Sequence, residues 1–342
     1  MNSIRQYYDD VLWCGVTHWH PEIFDNATAI ASKISQDLLD SGIDQSVFDR
    51  SRLLLSFLDE GHGANELESL CQYFDQSHSR DRYLILASPY IGPSQYPIVG
   101  FTKSMVNHGN FFTNIQQHPP EQDLQIDKKF LCLIRRAAPT RAEFASKVRY
   151  HVPEQDLRMS FGSHHVAQEI SQFQHLFPNV DLPILLDGQV GNHNREKIYD
   201  VESVWYQSLF NIVVETSSQT DPGIWRSVFI TEKTFKAFAM CQIPVWFAVP
   251  GLVEQVKALG FDVFSDIVDH SYDSIQDQPN RMDTVVNRIM YLHQKYSLKQ
   301  CQELRFSLWH RLQANYNLLA TLEQEHSADL RAAINKFIFH EN

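Results

Sequence analysis

Ser227-Val228-Phe229-Ile230-Thr231-Glu232-Lys233-Thr234-Phe235-Lys236-Ala237-Phe238 puts a lysine where a plain helix would not want one. Phe235, Phe238 and Ala239 recur at helical spacing behind Thr231, a residue suited to an N-cap. Glu232 in the first turn suits the positive end of the helix dipole, whereas Lys233 opposes it. An anion docked at that terminus removes the conflict, since free backbone N–H groups beside an ammonium make a clamp for a diphosphate. The plainer alternative is that Lys233 points into water.

Working outward, Phe210-Asn211-Ile212-Val213-Val214-Glu215 reads as a buried strand that Glu215-Thr216-Ser217 closes with polar groups. Beyond the helix, Gln242-Ile243-Pro244-Val245-Trp246-Phe247 reads as another strand. Pro250-Gly251 then turns the chain into a helix reaching about Leu259. Strand, polar loop, helix, strand, turn and helix make half of a doubly wound sheet. Ligands of such sheets bind beyond the carboxyl ends of the strands, where Glu215 and Thr231-Glu232-Lys233 would both lie.

Val214-Glu215-Thr216-Ser217, Phe229-Ile230-Thr231-Glu232-Lys233 and Ile243-Pro244-Val245, in this order, resemble the donor-binding core of the fucosyltransferase-type (family 10) GT-B glycosyltransferases. Those enzymes carry a Phe-Glu-Asn-Ser strand end, a Thr-Glu-Lys helix start and a Val-Pro-Val strand. Residues 259–264 with Asp269-His270-Ser271-Tyr272-Asp273 are similar to uncharacterised phage and bacterial relatives, and Phe130-Leu131-Cys132-Leu133-Ile134-Arg135-Arg136 resembles their Leu-Asn-Arg-Arg segment. The likeness covers roughly residues 129–273. The chain departs from the pattern at Ile134, Thr216 and Ala248-Val249-Pro250, where the family has Asn, Asn and Gly-Ala-Pro. The resemblance implies two Rossmann-type α/β domains facing a cleft, with a helical C-terminus that crosses back to the first domain. It also implies transfer of a sugar from a nucleoside-diphosphate sugar, GDP-fucose-like, to a hydroxyl acceptor.

The 342 residues suggest two domains, and 43% hydrophobic with 20% charged residues is an ordinary globular balance. A net charge of -12 argues against a nucleic-acid surface, so an anionic donor needs a local basic pocket, which singles out Arg135, Arg136, Lys233 and Lys236. The five cysteines are odd in number and dispersed, with no CxxC; a reducing compartment follows, and no disulfide framework or zinc site. No apolar run of signal-peptide or transmembrane length is present, and the expectation is a cytoplasmic protein.

Along the chain, residues 26–39 read as an amphipathic helix, Leu53-Leu54-Leu55-Ser56-Phe57-Leu58 as a strand, 64–74 as a helix and 83–87 as a strand. His118-Pro119-Pro120-Glu121-Gln122-Asp123 reads as a linker. The expected division is therefore an acceptor-side domain over 1–125, a donor domain over 126–310 and C-terminal helices over 311–342. Pro183-Ile184-Leu185-Leu186 reads as a weaker strand. Leu304, Leu308, Leu312 and Tyr316 form one helical stripe, and Leu330, Ile334 and Phe337 belong to a last helix.

Sugar transfer requires that the leaving diphosphate be stabilised, the sugar held and the acceptor hydroxyl deprotonated. Arg135 or Arg136 at a strand end offers a bidentate grip on phosphate, and Lys233 a second charge, which together would replace a metal ion. Glu232 suits ribose or sugar hydroxyls, or else only compensates the dipole; Glu215 is a strand-end carboxylate, or else a cap. For the base, Asp59 and Glu60 follow the Leu53–Leu58 run, with Gly61 and Gly63 permitting close approach and His62 as a further option. Capping of the next helix is the competing explanation. Among the 16 histidines, His18-Trp19-His20 and His164-His165 are the densest groups, and neither has acidic or cysteine partners at metal-site spacing. Residues 158–163 read as a polar loop before a helix, and 188–191 are too degenerate to count as a phosphate loop. The rival from another class is a catalytically silent sugar-nucleotide or glycan-binding protein. An α/β hydrolytic or phosphate-handling enzyme ranks last, for want of a nucleophile elbow or an acidic metal cluster.

Overall fold

A computed structural model describes residues 4–8, 10–15, 27–57, 64–76, 78–87, 95–100, 121–162, 167–186, 203–215, 228 and 230–339. The chain divides into two compact units. One comprises Met1–Asn107, Thr220–Phe229 and Leu322–Asn342, the other His108–Gln219 and Ile230–Thr321.

In the first unit, β1 (Ile4–Tyr8), β2 (Val11–Gly15), β3 (Arg52–Phe57), β4 (Tyr83–Ala87) and β5 (Ile98–Gly100) lie side by side in chain order. Only the β1–β2 pairing is antiparallel. Helices α1 (Ala27–Ser41), α2 (Gln45–Arg50) and α3 (Ala64–Phe74) supply a core with Leu12, Leu53, Leu55, Tyr83 and Ile85. Side chains alternate across a strand, so Val11, Leu54, Leu84 and Leu86 point to the other face. There they meet Leu330, with Ile334 and Phe337 packed alongside, all from the helix Trp309–Phe339. A strand covered on both faces must be apolar at successive positions, which is why Leu53-Leu54-Leu55 shows no alternation.

Arg52 fixes the end of that last helix. Its guanidinium donates to both carboxylate oxygens of Asp10 (3.0 and 2.9 Å) and to the carbonyls of Phe337 and Ile338, the latter at 2.9 Å. Those two carbonyls belong to the last described turn of the helix, and the carbonyls of a last turn call for partners outside the helix.

The second unit contains β6 (Lys128–Ile134), α4 (Pro139–His151), β7 (Leu157–Phe161), α5 (Ala167–Ile170), β8 (Ser208–Val214), α6 (Glu232–Ala239), β9 (Ile243–Phe247) and α7 (Leu252–Ala258). Then come α8 (Gln278–Lys295), α9 (Leu298–Ser307) and the start of α10 (Trp309–Phe339). The four strands are parallel, in the order β7-β6-β8-β9. Helices cover both faces: Phe144 of α4 stacks on Phe247 at 4.4 Å, whereas Phe238 of α6 meets Trp246, its neighbour on the opposite face. On the outer strand β9, Pro244 lacks an N–H, and the outward N–H of Trp246 donates to Tyr272 Oη at 3.2 Å.

The structure corrects three sequence expectations. Residues 183–186 form no strand: Pro183 has no N–H to give, and only Ile184 bridges Phe161, through two hydrogen bonds of 2.9 and 3.0 Å. Residues 158–161 are not a polar loop but belong to β7, whose Leu157, Met159 and Phe161 are buried beside β6. The Leu304–Tyr316 stripe is divided between α9 and α10, which meet at Leu308.

Candidate functional site

The strand order reverses between β6 and β8. The chain leaves β6 for β7 on one side and returns to β8 on the other, so the crevice beyond the carboxyl ends of β6 and β8 is the topological switch point. Arg135 and Arg136 follow β6, and Glu215 follows β8. Arg135 is half-buried and Arg136 exposed.

A residue that the sequence reading passed over joins them. Arg141, in the first turn of α4, is buried and donates to Arg136 O and to Glu215 O, both at 3.2 Å. It therefore ties the two strand ends together. Burial lowers its pKa from the usual arginine value while the nearby Glu215 pulls it up, and an arginine so placed keeps its charge. The signal was in the sequence: Arg141 is a cation in a helix's first turn, the same anomaly that singled out Lys233. Reading that signal requires Pro139–His151 to be a helix with proline in its first turn, which the weak apolar periodicity of the segment does not announce.

Glu215 is the centre of a buried hydrogen-bond network. Its Oε1 accepts from Thr231 N (3.1 Å) and Thr234 Oγ1 (2.7 Å), and its Oε2 from Thr231 Oγ1. Thr234 Oγ1 in turn accepts from Trp246 Nε1 at 3.1 Å. Glu215 is 1% exposed, Thr231 3% and Thr234 0%. Two residue types that cap helices thus bolt the start of α6 to the end of β8, through a carboxylate that stands where the dipole wants negative charge.

Thr231 is the N-cap, accepting from Lys233 N at 3.3 Å, and it also receives the Lys233 ammonium at 3.2 Å. Lys233 Nζ lies 2.9 Å from Glu232 Oε1. Burial would raise the Glu232 pKa, but Lys233 and Lys236 outweigh it and bring the carboxyl down to about 2. The conflict between a lysine and the helix dipole is relieved locally, by the adjacent carboxylate and the cap hydroxyl. Lys236 sits over the Trp205 ring, 5.8 Å from its centroid.

Beyond β9 the polar groups hold the backbone. Asp273, buried, accepts from Val253 N (3.1 Å) and Glu254 N (3.3 Å), doing at a distance the capping that Gly251 cannot. Arg281 donates to Ala248 O at 2.9 Å. His270 links Tyr272 Oη and Val263 O, both at 2.7 Å, which sets Nε2 as its donor and Nδ1 as its acceptor.

The structure thus brings Arg136, Arg141, Glu215, Thr231, Glu232 and Lys233 to one end of one sheet, with Arg135 beside them. Asp59, Glu60 and His62 lie outside the described residues, as do His18, His20, His164, His165, Thr216, Ser217, Ser227, Phe229 and residues 188–191. Among the described residues no group of three or more His, Cys, Asp or Glu side chains could hold a metal ion. No described helix is long and apolar enough to cross a membrane. All five cysteines are free and buried, and burial pushes Cys14, Cys71, Cys241 and Cys301 up to about 12.

No protein-family model matches the sequence, and a comparison with curated proteins finds no significant match.

Proposed function

We propose that the second unit binds a nucleoside-diphosphate sugar at the β6/β8 switch point. The chain then acts as an inverting GT-B glycosyltransferase that passes the sugar to a hydroxyl acceptor. The observation that carries this reading is the cation-rich strand end itself: Arg135, Arg136, Arg141 and Lys233 gathered at the switch point of a parallel sheet, in a chain of net charge -12. The family resemblance favours a GDP-fucose-like donor.

In this mechanism the diphosphate gains negative charge as the bond to the sugar breaks. Arg135, Arg136 and the α6 terminus with Lys233 stabilise that charge without a required metal ion. Asp59 or Glu60 removes the acceptor proton as its oxygen attacks. Arg141 and Glu215 contribute by rigidity, holding the β6 end, the β8 end and α6 in one geometry.

One observation favours the rival reading, a sugar-nucleotide-binding protein without catalysis. Both carboxylates at the described end of the sheet are engaged, Glu215 by Thr231 and Thr234 and Glu232 by Lys233. Neither is poised as a base. A calorimetric screen with GDP, UDP, CDP and TDP sugars, followed by a transfer assay on a glycan panel with and without chelator, separates the possibilities. Donor binding with chelator-resistant turnover supports the transferase, and tight binding without turnover supports the silent module. Absence of binding to all four rejects both.

A further inference from the structure

We propose that Glu232 is a built-in competitor for the anion site. It neutralises Lys233 while the site is empty, and the ligand's diphosphate must displace it. This rests on the diphosphate reading given above. Lys233 Nζ is held at 2.9 Å by Glu232 and at 3.2 Å by the Thr231 hydroxyl, so the ammonium lies folded back over the first turn of its own helix. The side chains are only 18% (Glu232) and 29% (Lys233) exposed, which limits solvent screening of the pair. Glu232 stays ionised throughout the neutral range, because Lys233 and Lys236 overcome the effect of burial on its carboxyl.

The two partners differ in what else holds them. Thr231 is fixed by Glu215, so the hydroxyl that Lys233 shares does not move with the ligand. Glu232 projects from the first residue of α6, where Lys233, the charge of Lys236 and its own backbone N–H hold its carboxylate, all of them within α6. An incoming phosphate oxygen offers Lys233 the same kind of charge-assisted bond, so Glu232 is the group that yields. Exchange of one anion for another lowers the net gain from Lys233 and makes the site selective against weakly charged ligands, which cannot replace a carboxylate.

The test uses the full chain and four proteins: wild type, Glu232→Gln, Lys233→Ala and the double variant. Each is titrated calorimetrically with GDP, UDP, CDP, TDP and inorganic pyrophosphate. The expected result is that Glu232→Gln binds the preferred diphosphate about two- to five-fold more tightly than wild type, the range of a partly exposed ion pair. That gain should vanish when Lys233 is alanine. Thermal melts should meanwhile show Glu232→Gln slightly less stable, since the helix loses a favourable charge in its first turn. Affinity and stability then move in opposite directions, which a general disturbance of the site would not produce. If Glu232→Gln fails to fold, Glu232→Ala is measured in its place. Unchanged or weaker binding by the variant overturns the competition while leaving the diphosphate site intact, and means that Glu232 is neutral or contacts the ligand. A gain that persists without Lys233 also overturns it. Failure of wild type and variants alike to bind any of the five ligands rejects the diphosphate site, and the competition with it.

Discussion

Glu215→Gln is the most informative single change in the second unit. The substitution keeps shape and volume but replaces one carboxylate oxygen by an NH2 group. Three described donors reach Glu215: Thr231 N, Thr234 Oγ1 and Thr231 Oγ1. An amide oxygen at the Oε1 position can still accept from the first two. The NH2 then faces Thr231 Oγ1, which already accepts from Lys233 N and Nζ and has its own proton aimed at the lost oxygen. One charge-assisted bond is lost in a site only a few per cent exposed, a cost of about 1.5–3 kcal/mol. Urea denaturation followed by tryptophan fluorescence measures it, with hydrogen exchange on α6 as the local readout. The α6 amides should exchange faster than those of α8, because Glu215 holds the start of α6 and not of α8. Diphosphate affinity should fall as well, through displacement of Lys233. A variant within about 0.5 kcal/mol of wild type, with α6 exchange unchanged, would refute the network as the anchor of this helix.

Other expected outcomes follow from the same geometry. Lys233→Ala should weaken diphosphate binding by about 1.5–3 kcal/mol, less the part that Glu232 already offsets, and unchanged affinity by calorimetry removes Lys233 from the site. If Asp59 or Glu60 is the base, Asp59→Asn or Glu60→Gln should retain donor binding while turnover falls on the order of 10² to 10⁴; full turnover in both moves the search to His62. Burial lowers the pKa of His270, and for His293 burial is joined by the charge of Lys129. For both, the unfolded chain binds the proton more readily, so their contribution is complete above the ordinary histidine value of 6.5 and is lost as pH falls below it. Urea midpoints should drop between pH 7.5 and pH 5, and His270→Gln should flatten the drop; a midpoint constant over that range refutes the assignment.

The elements that sequence made legible are those with a strong local signal. Helix 64–74 and strand 83–87 have bounds identical to Ala64–Phe74 and Tyr83–Ala87, and Thr231 is the N-cap that its residue type announced. What escaped depended on partners distant in sequence. Arg158 and Ser160 made residues 158–163 look polar, yet Leu157–Phe161 is a strand because β6 pairs along its full length. The last helix-turn carbonyls need Arg52, some 285 positions away, and no local pattern announces such a contact. At the site, residue types were readable and their partners were not. Glu215 was recognised as a strand-end carboxylate, but its ties to Thr231 and Thr234 required the fold. Lys233 looked out of place on a helix dipole, and the neighbour that reconciles it was the next residue in the chain.

The two-sided sheet of the first unit has a consequence for how the protein is made. Its strands β2, β3 and β4 precede the last helix in the chain, yet among the described residues Leu54, Leu84 and Leu86 share their side of the sheet with Leu330, Ile334 and Phe337 of that helix. Arg52 likewise waits for the Phe337 and Ile338 carbonyls. A nascent chain that has not yet reached that helix lacks these partners for a leucine-lined sheet face, and such a face is a natural target for chaperones that hold exposed apolar surface. The sheet of the first unit is thus completed only after the strands of the second unit have been made, and loss of residues 330–338 should show as aggregation during synthesis.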